Sequence, residues 1–443
     1  MKTTILLLSA LLLLLAGCIT DPVTGSSRLG IDMSEEGEIA MGAQYAPSFK
    51  SQYEGPYPDE EINAHCEKIV LGMARESHRP DLPWSFTILN SSEANAFALP
   101  GGTVCMTRGL LTRLENEAQF AGVMGHEIGH VNHRHSVQQQ SDQTLYSILV
   151  ATAAIGVEVA DVKYGGELVS AGAIGGQLLL LSFSRGQESE SDERGVEYSF
   201  EAGYDPRELA GVFRIFKQMK EEAGADAPPK WLSTHPLDDD RIEDVQRIVS
   251  KEYPKVVKTN GKGLVVTTPE WERLMARLRE QQKVYDDYDR AAKSMSQAIQ
   301  QNDRAAMKSV LARFESCERR LPGHALLVSS VGVVHYYLKA WSTAKRQFER
   351  AVRLQSDLFE PRYFLADVAL REGDAKTAIA HGAVAQKLWP HHPGPYYVLG
   401  RAYDKGGDVN NAIPNYEGVL AFSSPKSEEY KFAAKRLGEL KAR

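Results

Sequence analysis

The chain has 443 residues, 43% of them apolar, which is material for about two to four domains with ordinary buried cores. Acidic residues outnumber basic ones, 58 to 51, and the two signs are interspersed, giving a formal net charge of −7. No basic stripe of the kind that neutralises phosphates is present, so nucleic-acid binding is excluded as the main role.

Residues 1–17 read as a targeting segment rather than as structure. Lys2 supplies a positive charge, and Ile5 to Leu15 is an apolar run broken only by Ser9-Ala10. Leu15-Ala16-Gly17-Cys18 resembles the lipobox of bacterial lipoproteins. The resemblance implies cleavage before Cys18 and lipid attachment there. Each buried methylene contributes about 0.8 kcal/mol, so several acyl chains hold a protein firmly at a membrane. Ile19 follows, and the Asp that commonly retains lipoproteins at the inner membrane is absent from that position. The implied location is the periplasmic face of the outer membrane. Cys66, Cys105 and Cys317 remain, an odd number that cannot pair completely. A Cys66–Cys105 bridge is allowed, and no spacing is that of a zinc cluster.

Phe86-Thr87-Ile88-Leu89 and the stretch after Gly102 read as strands, separated by a turn at Pro100-Gly101-Gly102. An exposed edge of such strands accepts an extended peptide by β-augmentation. Asn95 and Ala96 belong either to that cleft or to a plain turn before it.

Phe120, Met124 and Ile128 then recur every four residues, with Val123 and Val131 beside them, which predicts a helix with an apolar stripe. It carries His126-Glu127-Ile128-Gly129-His130, an H-E-x-x-H sequence. Residues four apart share a helix face, so both imidazoles can reach one Zn²⁺ while Glu127 takes a proton from water. A buried His pair satisfied by hydrogen bonds is the alternative. A catalytic zinc usually takes three protein ligands and keeps one position open. His133 lies too far along the axis to close the tetrahedron. The pattern H-E-x-x-H-x-x-G-x-x-H is excluded, because His133 and Ser136 stand where its Gly and His belong. Apolar stretches at Leu145–Ala160 and Leu168–Phe183 follow. Each is shorter than the roughly 20 residues that span a bilayer, and they are expected to pack around the active site. The acidic run from Ser184 to Gly195 supplies candidates for the third ligand. Glu188 and Asp192 share a helical face, but spacing alone leaves Glu188, Glu190 and Glu193 open, and a solvated acidic helix is the bland reading.

These segments together resemble the HtpX-like and CAAX-prenyl-protease-like zinc metallopeptidases. Asn95 to Gly102 resembles the family's N-A-F-x-x-P-G-G, and Arg108-Gly109-Leu110-Leu111 follows it. The zinc helix, the E-x-x-x-D-x-x-G stretch from Glu188 to Gly195, Thr234-His235-Pro236 and Arg241-Ile242 come next in the family's order. Asp21-Pro22-Val23-Thr24-Gly25 resembles the N-P-V-T-G start of periplasmic members, with Asp where Asn is commoner. The resemblance spans about residues 21–250. It implies one Zn²⁺ per chain held by His126, His130 and Glu188, with Glu127 as general base and Asp192 orienting a metal-binding histidine. Gln187 departs from the basic residue that often precedes the third ligand. His235 stands where a loop histidine of some periplasmic relatives occupies the open zinc position and keeps the enzyme inactive. Its other readings are donor to the oxyanion and helix-entry capping before Pro236. The chemistry implied is peptide hydrolysis: zinc lowers the pKa of water from about 16 to about 7, and Glu127 carries the proton to the leaving amine.

Lys258 to Gly263 reads as a loop, and the character of the chain changes beyond it. Ala344, Ala378 and Ala412 are spaced by 34 residues. Phe348, Gly382 and Tyr416 follow them at one fixed offset, and Ala351, Ala385 and Val419 at another. This is tetratricopeptide spacing, in which stacked helix pairs bury one another's faces. A degenerate earlier repeat is expected over Val284–Leu321, with its turn at Asn302-Asp303. Tyr396, Tyr397 and Tyr403 either line a groove or pack between helices.

The expected fold is mostly α: a zincin-type α+β metalloprotease domain with a small sheet and an active-site helix, followed by an α-solenoid. The expected boundaries are 1–17 signal peptide, 18–255 peptidase, 256–282 linker and 283–443 repeats. A lipobox, a peptidase and carboxy-terminal repeats together resemble the layout of envelope members of the family. That implies quality control of outer-membrane proteins, with unfolded or misassembled envelope proteins as substrates. The repeats would dock clients or assembly machinery, or serve an assembly adaptor whose proteolysis is latent.

Overall fold

The computed structural model describes residues 17–156, 182–224, 228–238 and 240–442. Residues 1–16 of the expected targeting segment, 157–160 of the first apolar stretch and 168–181 of the second lie outside them. No helix among the described residues is long and apolar enough to cross a membrane. The chain divides into two compact units, one of Met1–Ala46, Glu60–Ile88 and Glu93–Leu274, the other of Pro47–Asp59, Leu89–Ser92 and Met275–Arg443.

In the first unit, β1 (Gly17–Thr20) and β2 (Ser27–Gly30) form an antiparallel hairpin that pairs Cys18 with Leu29. After α1 (Glu35–Gln52) and α2 (Glu60–Arg75) comes a sheet of β3 (Ser85–Leu89), β4 (Ala96–Leu99) and β5 (Thr103–Thr107), in the order β3-β5-β4. The stretch after Gly102 is therefore the central strand. Both its edges are taken, so it cannot be the exposed edge expected for peptide addition. The β4–β5 turn needs its glycines, because Gly101 and Gly102 have φ of 79° and 98°, and a Cβ on Gly101 would lie 2.6 Å from Ile39 Cα. Cys66 and Cys105 are not bridged, so the disulfide that the count allowed does not form.

The single-turn α3 (Arg108–Leu111) leads to α4 (Glu117–Asn132), the helix that carries H-E-x-x-H. Asn116 caps it, its side-chain oxygen accepting from Gln119 N–H at 2.9 Å. Sequence periodicity suggests a helix with one apolar stripe, yet every residue of α4 is buried. It is a central helix, packed against α2, the sheet, α6 (Arg185–Glu201) and α7 (Glu208–Ala223). The turn α8 (Trp231–Thr234), α9 (Asp240–Glu252) and α10 (Pro254–Thr259) follow. Residues 256–282, expected to be a linker, are largely helical. They include α10 and the start of α11 (Pro269–Gln301), where Trp271, Leu274 and Leu278 are fully buried.

The second unit is a stack of helix pairs with an invariant step. First helices α13 (Ala325–Tyr337), α15 (Phe359–Glu372) and α17 (Pro393–Lys405) begin 34 residues apart. Second helices α14 (Trp341–Leu354), α16 (Ala375–Leu388) and α18 (Val409–Phe422) do the same. The latter part of α11 with α12 (Arg304–Arg320) forms the degenerate first pair, and Asn302 (φ 52°) and the Asp303 cap make its turn. The crossing within each pair is a size exchange. Gly332 meets Phe348 and Gly400 meets Tyr416, whereas in the middle pair Ala366 faces Gly382. A Cβ on Gly332 or Gly400 would stand 2.7 or 2.9 Å from the opposing ring, so small residues are required where the partner is aromatic. The last helix, α19 (Glu428–Lys441), closes the stack with Ala433, Leu437 and Leu440, and Tyr396, Tyr397 and Tyr403 pack there between helices. Residues 47–59, expected within the peptidase, cluster with this unit: Ser51 Oγ donates to Leu388 O at 2.6 Å, and Gln355 Nε2 donates to Pro56 O at 3.2 Å.

The turns inside the pairs repeat too. Gly373-Asp374 and Gly407-Asp408 place glycine at positive φ and an aspartate at the helix cap, but the equivalent Lys339-Ala340 puts lysine at φ 63° and a residue with no capping side chain. A non-glycine left-handed residue costs about 1–2 kcal/mol, and a missing cap about 1 kcal/mol. Lys339→Gly with Ala340→Asp is expected to raise stability by about 2 kcal/mol in urea denaturation. An unchanged midpoint would show that the turn conformation is not the limiting feature.

Candidate metal centre

The site begins with how closely α4 and α6 approach. Glycines face each other at the crossing. A Cβ on Gly125 would lie 3.1 Å from Gly195 O, and one on Gly129 would lie 2.9 Å from Arg194 Cβ and 3.2 Å from Ser191 Cα. At that separation the acids on the buried face of α6 reach the histidines of α4. Glu188 and Asp192 are both 2% exposed and on that face, whereas Glu190 and Glu193 point outward. Gln187 completes a capping box with Ser184, its side-chain oxygen accepting from Ser184 N–H at 3.1 Å. A lysine or arginine there has no acceptor to offer, which gives the departure at this position a structural reason.

His126, His130, Glu188 and His235 are all buried, and one ligand atom from each lies within 4.8 Å of the others. His126 Nε2 is 3.0 Å from His130 Nε2 and 3.3 Å from His235 Nδ1. Glu188 oxygens lie 3.7 Å from His126 Nε2, 3.5 Å from His130 Nε2 and 3.0 Å from His235 Nδ1. A tetrahedral ion with bonds of about 2.0–2.1 Å has ligand–ligand edges of about 3.3 Å. The measured edges straddle that value. The proton bookkeeping agrees, for His126 Nδ1–H donates to Asp192 Oδ1 at 2.8 Å, which leaves Nε2 as a bare lone pair aimed into the cluster. The donor set therefore fits a divalent transition ion. His133 and His135 do not join it.

Residues 60–249 match Peptidase family M48. Over that segment the chain is similar to the M48 peptidases. Relatives include the beta-barrel assembly-enhancing protease of Escherichia coli K12, 29% identical over 247 residues that are 54% of this chain and 49% of the relative. The mitochondrial metalloendopeptidase OMA1 of Arabidopsis thaliana is 31% identical over 214 residues, 48% of this chain and 41% of the relative. The chain thus spans about half the length of the curated relatives it matches. Among solved structures, MamA from Desulfovibrio magneticus RS-1 covers 35% of this chain and 94% of its own, at 17% identity and a TM-score of 0.28.

Around the candidate metal cluster stand two supporting side chains that sequence reasoning missed. Arg241, quoted only as part of a motif, donates from Nε and Nη2 to the two Asp192 oxygens at 2.9 and 2.7 Å, and its Nη1 pairs with Glu188 Oε2 at 2.7 Å. Its guanidinium lies 4.4 Å over the Phe213 ring. Burial works against its charge, but Asp192 and Glu188 outweigh burial and hold its pKa above the ordinary arginine value. Trp231 donates from Nε1 to Glu127 Oε1 at 3.1 Å, and its ring lies between Phe216 (4.3 Å) and His235 (4.5 Å). Burial raises the Glu188 carboxyl, yet the charge of His235, hydrogen bonds with His130 and His235 and the charge of Arg241 carry it well below the carboxylate range. His130 is pushed well below its ordinary value by burial, which favours the neutral form that metal ligation requires. No sequence signal pointed to Trp231.

Proposed function

We propose that the chain is a zinc-dependent metalloendopeptidase of the bacterial envelope, built as a peptidase domain over about residues 18–255 and tetratricopeptide-like repeats over about 283–443. The observation that carries the reading is the convergence of two imidazoles and the Glu188 carboxylate beside Glu127, which is 1% exposed and fixed by Trp231. A zinc ion held by His126, His130 and Glu188 supplies Lewis acidity, polarising the scissile carbonyl and acidifying water. Glu127 accepts the proton of the attacking water through the oxygen that Trp231 leaves open, and delivers it to the amine nitrogen as the C–N bond breaks. Arg241 and Asp192 hold His126 in its ligating tautomer. The substrate strand adds to the edge of β4, the outer strand of the sheet, which packs on α4.

His235 marks a latent form. Its Nδ1 stands at the fourth corner of the cluster, where water has to enter, and this supports the plug reading over the capping one. As oxyanion donor it would have to swing outward first. The substrates are misfolded or stalled envelope proteins, the anchor is lipid on Cys18 at the outer membrane, and the repeats dock clients or assembly machinery.

The test is cleavage of an unfolded protein by the purified chain. Activity is expected to disappear with a chelator, to return on adding zinc, and to rise several-fold in His235→Ala. Cutting that persists in the metal-stripped protein would end the reading.

A further inference from the structure

A second group of metal-ligating side chains lies beside the first. Helix α4 ends at Asn132, and α5 (His135–Gly156) starts after a sharp turn in which Arg134 has φ 58°. That turn brings His133 and His135 to the same side, their rings stacked 5.2 Å apart and 6° from parallel. Glu190 of α6 joins them, and the three ligand atoms lie within 4.8 Å of one another. His133 is 2% exposed. Its Nδ1 donates to Asp21 Oδ2 at 2.8 Å, while its Nε2 is buried with no hydrogen-bond partner. A buried imidazole lone pair with nothing to accept is unfavourable. A histidine whose other nitrogen is fixed by a carboxylate is also the arrangement metal sites use to orient a ligand. His135 is fully buried and Glu190 is half exposed, so the group opens to solvent on one side.

We infer that His133, His135 and Glu190 form a second divalent transition-metal site, antagonistic to the first. The antagonism follows from proton positions across the 2.9 Å contact between His130 Nδ1 and His135 Nδ1. A neutral imidazole has one N–H. When His130 turns a bare Nε2 toward the first site, its proton sits on Nδ1 and is donated to His135 Nδ1. The His135 proton is then on Nε2, donated to Glu190 Oε2 at 3.0 Å. An ion at the second site needs that Nε2 bare. The His135 proton then moves to Nδ1, His130 Nδ1 must accept it, and the His130 proton goes to Nε2, where it blocks the first site. Each site in its neutral-imidazole form therefore excludes the other, and by linkage each weakens the other equally. The second half of this inference rests on the proposed function; the second site itself does not.

The test uses the full chain, stripped of metal and titrated with buffered Zn²⁺, with bound metal counted per chain. The variant His126→Ala/Glu188→Gln removes the first site and is expected to hold one ion. Adding His133→Gln, whose amide still donates to Asp21, is expected to remove that ion while the melting curve stays cooperative. In the wild type the second ion is expected to bind at least tenfold more weakly than in His126→Ala/Glu188→Gln. An ion kept at equal affinity after His133→Gln is added, or a folded His126→Ala/Glu188→Gln that binds none, overturns the site. Equal second-ion affinity in the wild type and in that variant overturns the antagonism. His133→Gln alone is expected to keep one ion. If it is folded and holds none, the first-site reading fails and the second site is untouched.

Discussion

Glu127→Gln is expected to retain one zinc per chain and to lose on the order of 10²–10⁴ in turnover, the range that a positioned general base supplies. The substitution isolates the proton. Glutamine has the shape of glutamate, and its carbonyl oxygen can still accept from Trp231 Nε1, so the cleft is not repacked. What it cannot do is take a proton from water at neutral pH. Glu127 is nearly fully buried, and His235 Nε2 lies 3.6 Å from its Oε1. The measurement pairs metal content with initial rates on an unfolded protein. It should be repeated in the His235→Ala background, where the proposed plug is gone and the remaining rate reports chemistry. His126→Ala is the contrasting variant, expected to lose the metal together with the rate. A Gln variant that holds zinc and cuts as fast as the wild type would remove Glu127 from the mechanism.

What could be read in advance divides along a physical line. The H-E-x-x-H pair was legible because helix geometry alone decides which residues four apart share a face. The repeat was legible because size exchange at a helix crossing leaves its mark at one residue per helix, and the step between Ala344, Ala378 and Ala412 is the step between the helices themselves. The third acid was not separable from its neighbours by spacing, since the choice among Glu188, Glu190 and Glu193 depends on which face of α6 meets α4. That is set by Gly125, Gly129 and Gly195, whose contacts exist only after both helices have packed. Arg241 and Trp231 come from elements that approach the site from elsewhere in the chain and carry no periodic signal. The pairing of His133 with His135 depends on one residue in the left-handed region, Arg134, which reverses what helical geometry predicts for residues two apart. Residues 47–59 looked like part of the peptidase because they lie within its expected span of 18–255, yet Ser51 and Pro56 hydrogen-bond to Leu388 and Gln355 of the repeats.

Those glycines give the second large effect. Gly125→Val is expected to abolish zinc binding and to lower stability by about 3 kcal/mol or more. In an isolated helix, exchanging glycine for a residue with a side chain is favourable, by up to about 1 kcal/mol for alanine. Here the sign reverses, because the added Cβ would meet backbone that cannot yield, Gly195 O at 3.1 Å and Gly195 Cα at 3.2 Å, besides the flexible end of Met73 at 3.1 Å. Overpacking a close-packed interior costs about 1–3 kcal/mol, and the two further methyls of valine have no void to enter in a helix that is buried on every side. Relief can come only from α4 and α6 moving apart. That motion pulls Glu188 from His130, with which it is now 3.5 Å apart, and Asp192 from its 2.8 Å contact with His126. Gly125→Ala should fall between, weakening zinc in a chelator competition while the chain still melts cooperatively. A valine variant with wild-type stability and full zinc occupancy would show that the α4–α6 spacing does not set the site, and the account of how Glu188 reaches the histidines would have to be abandoned.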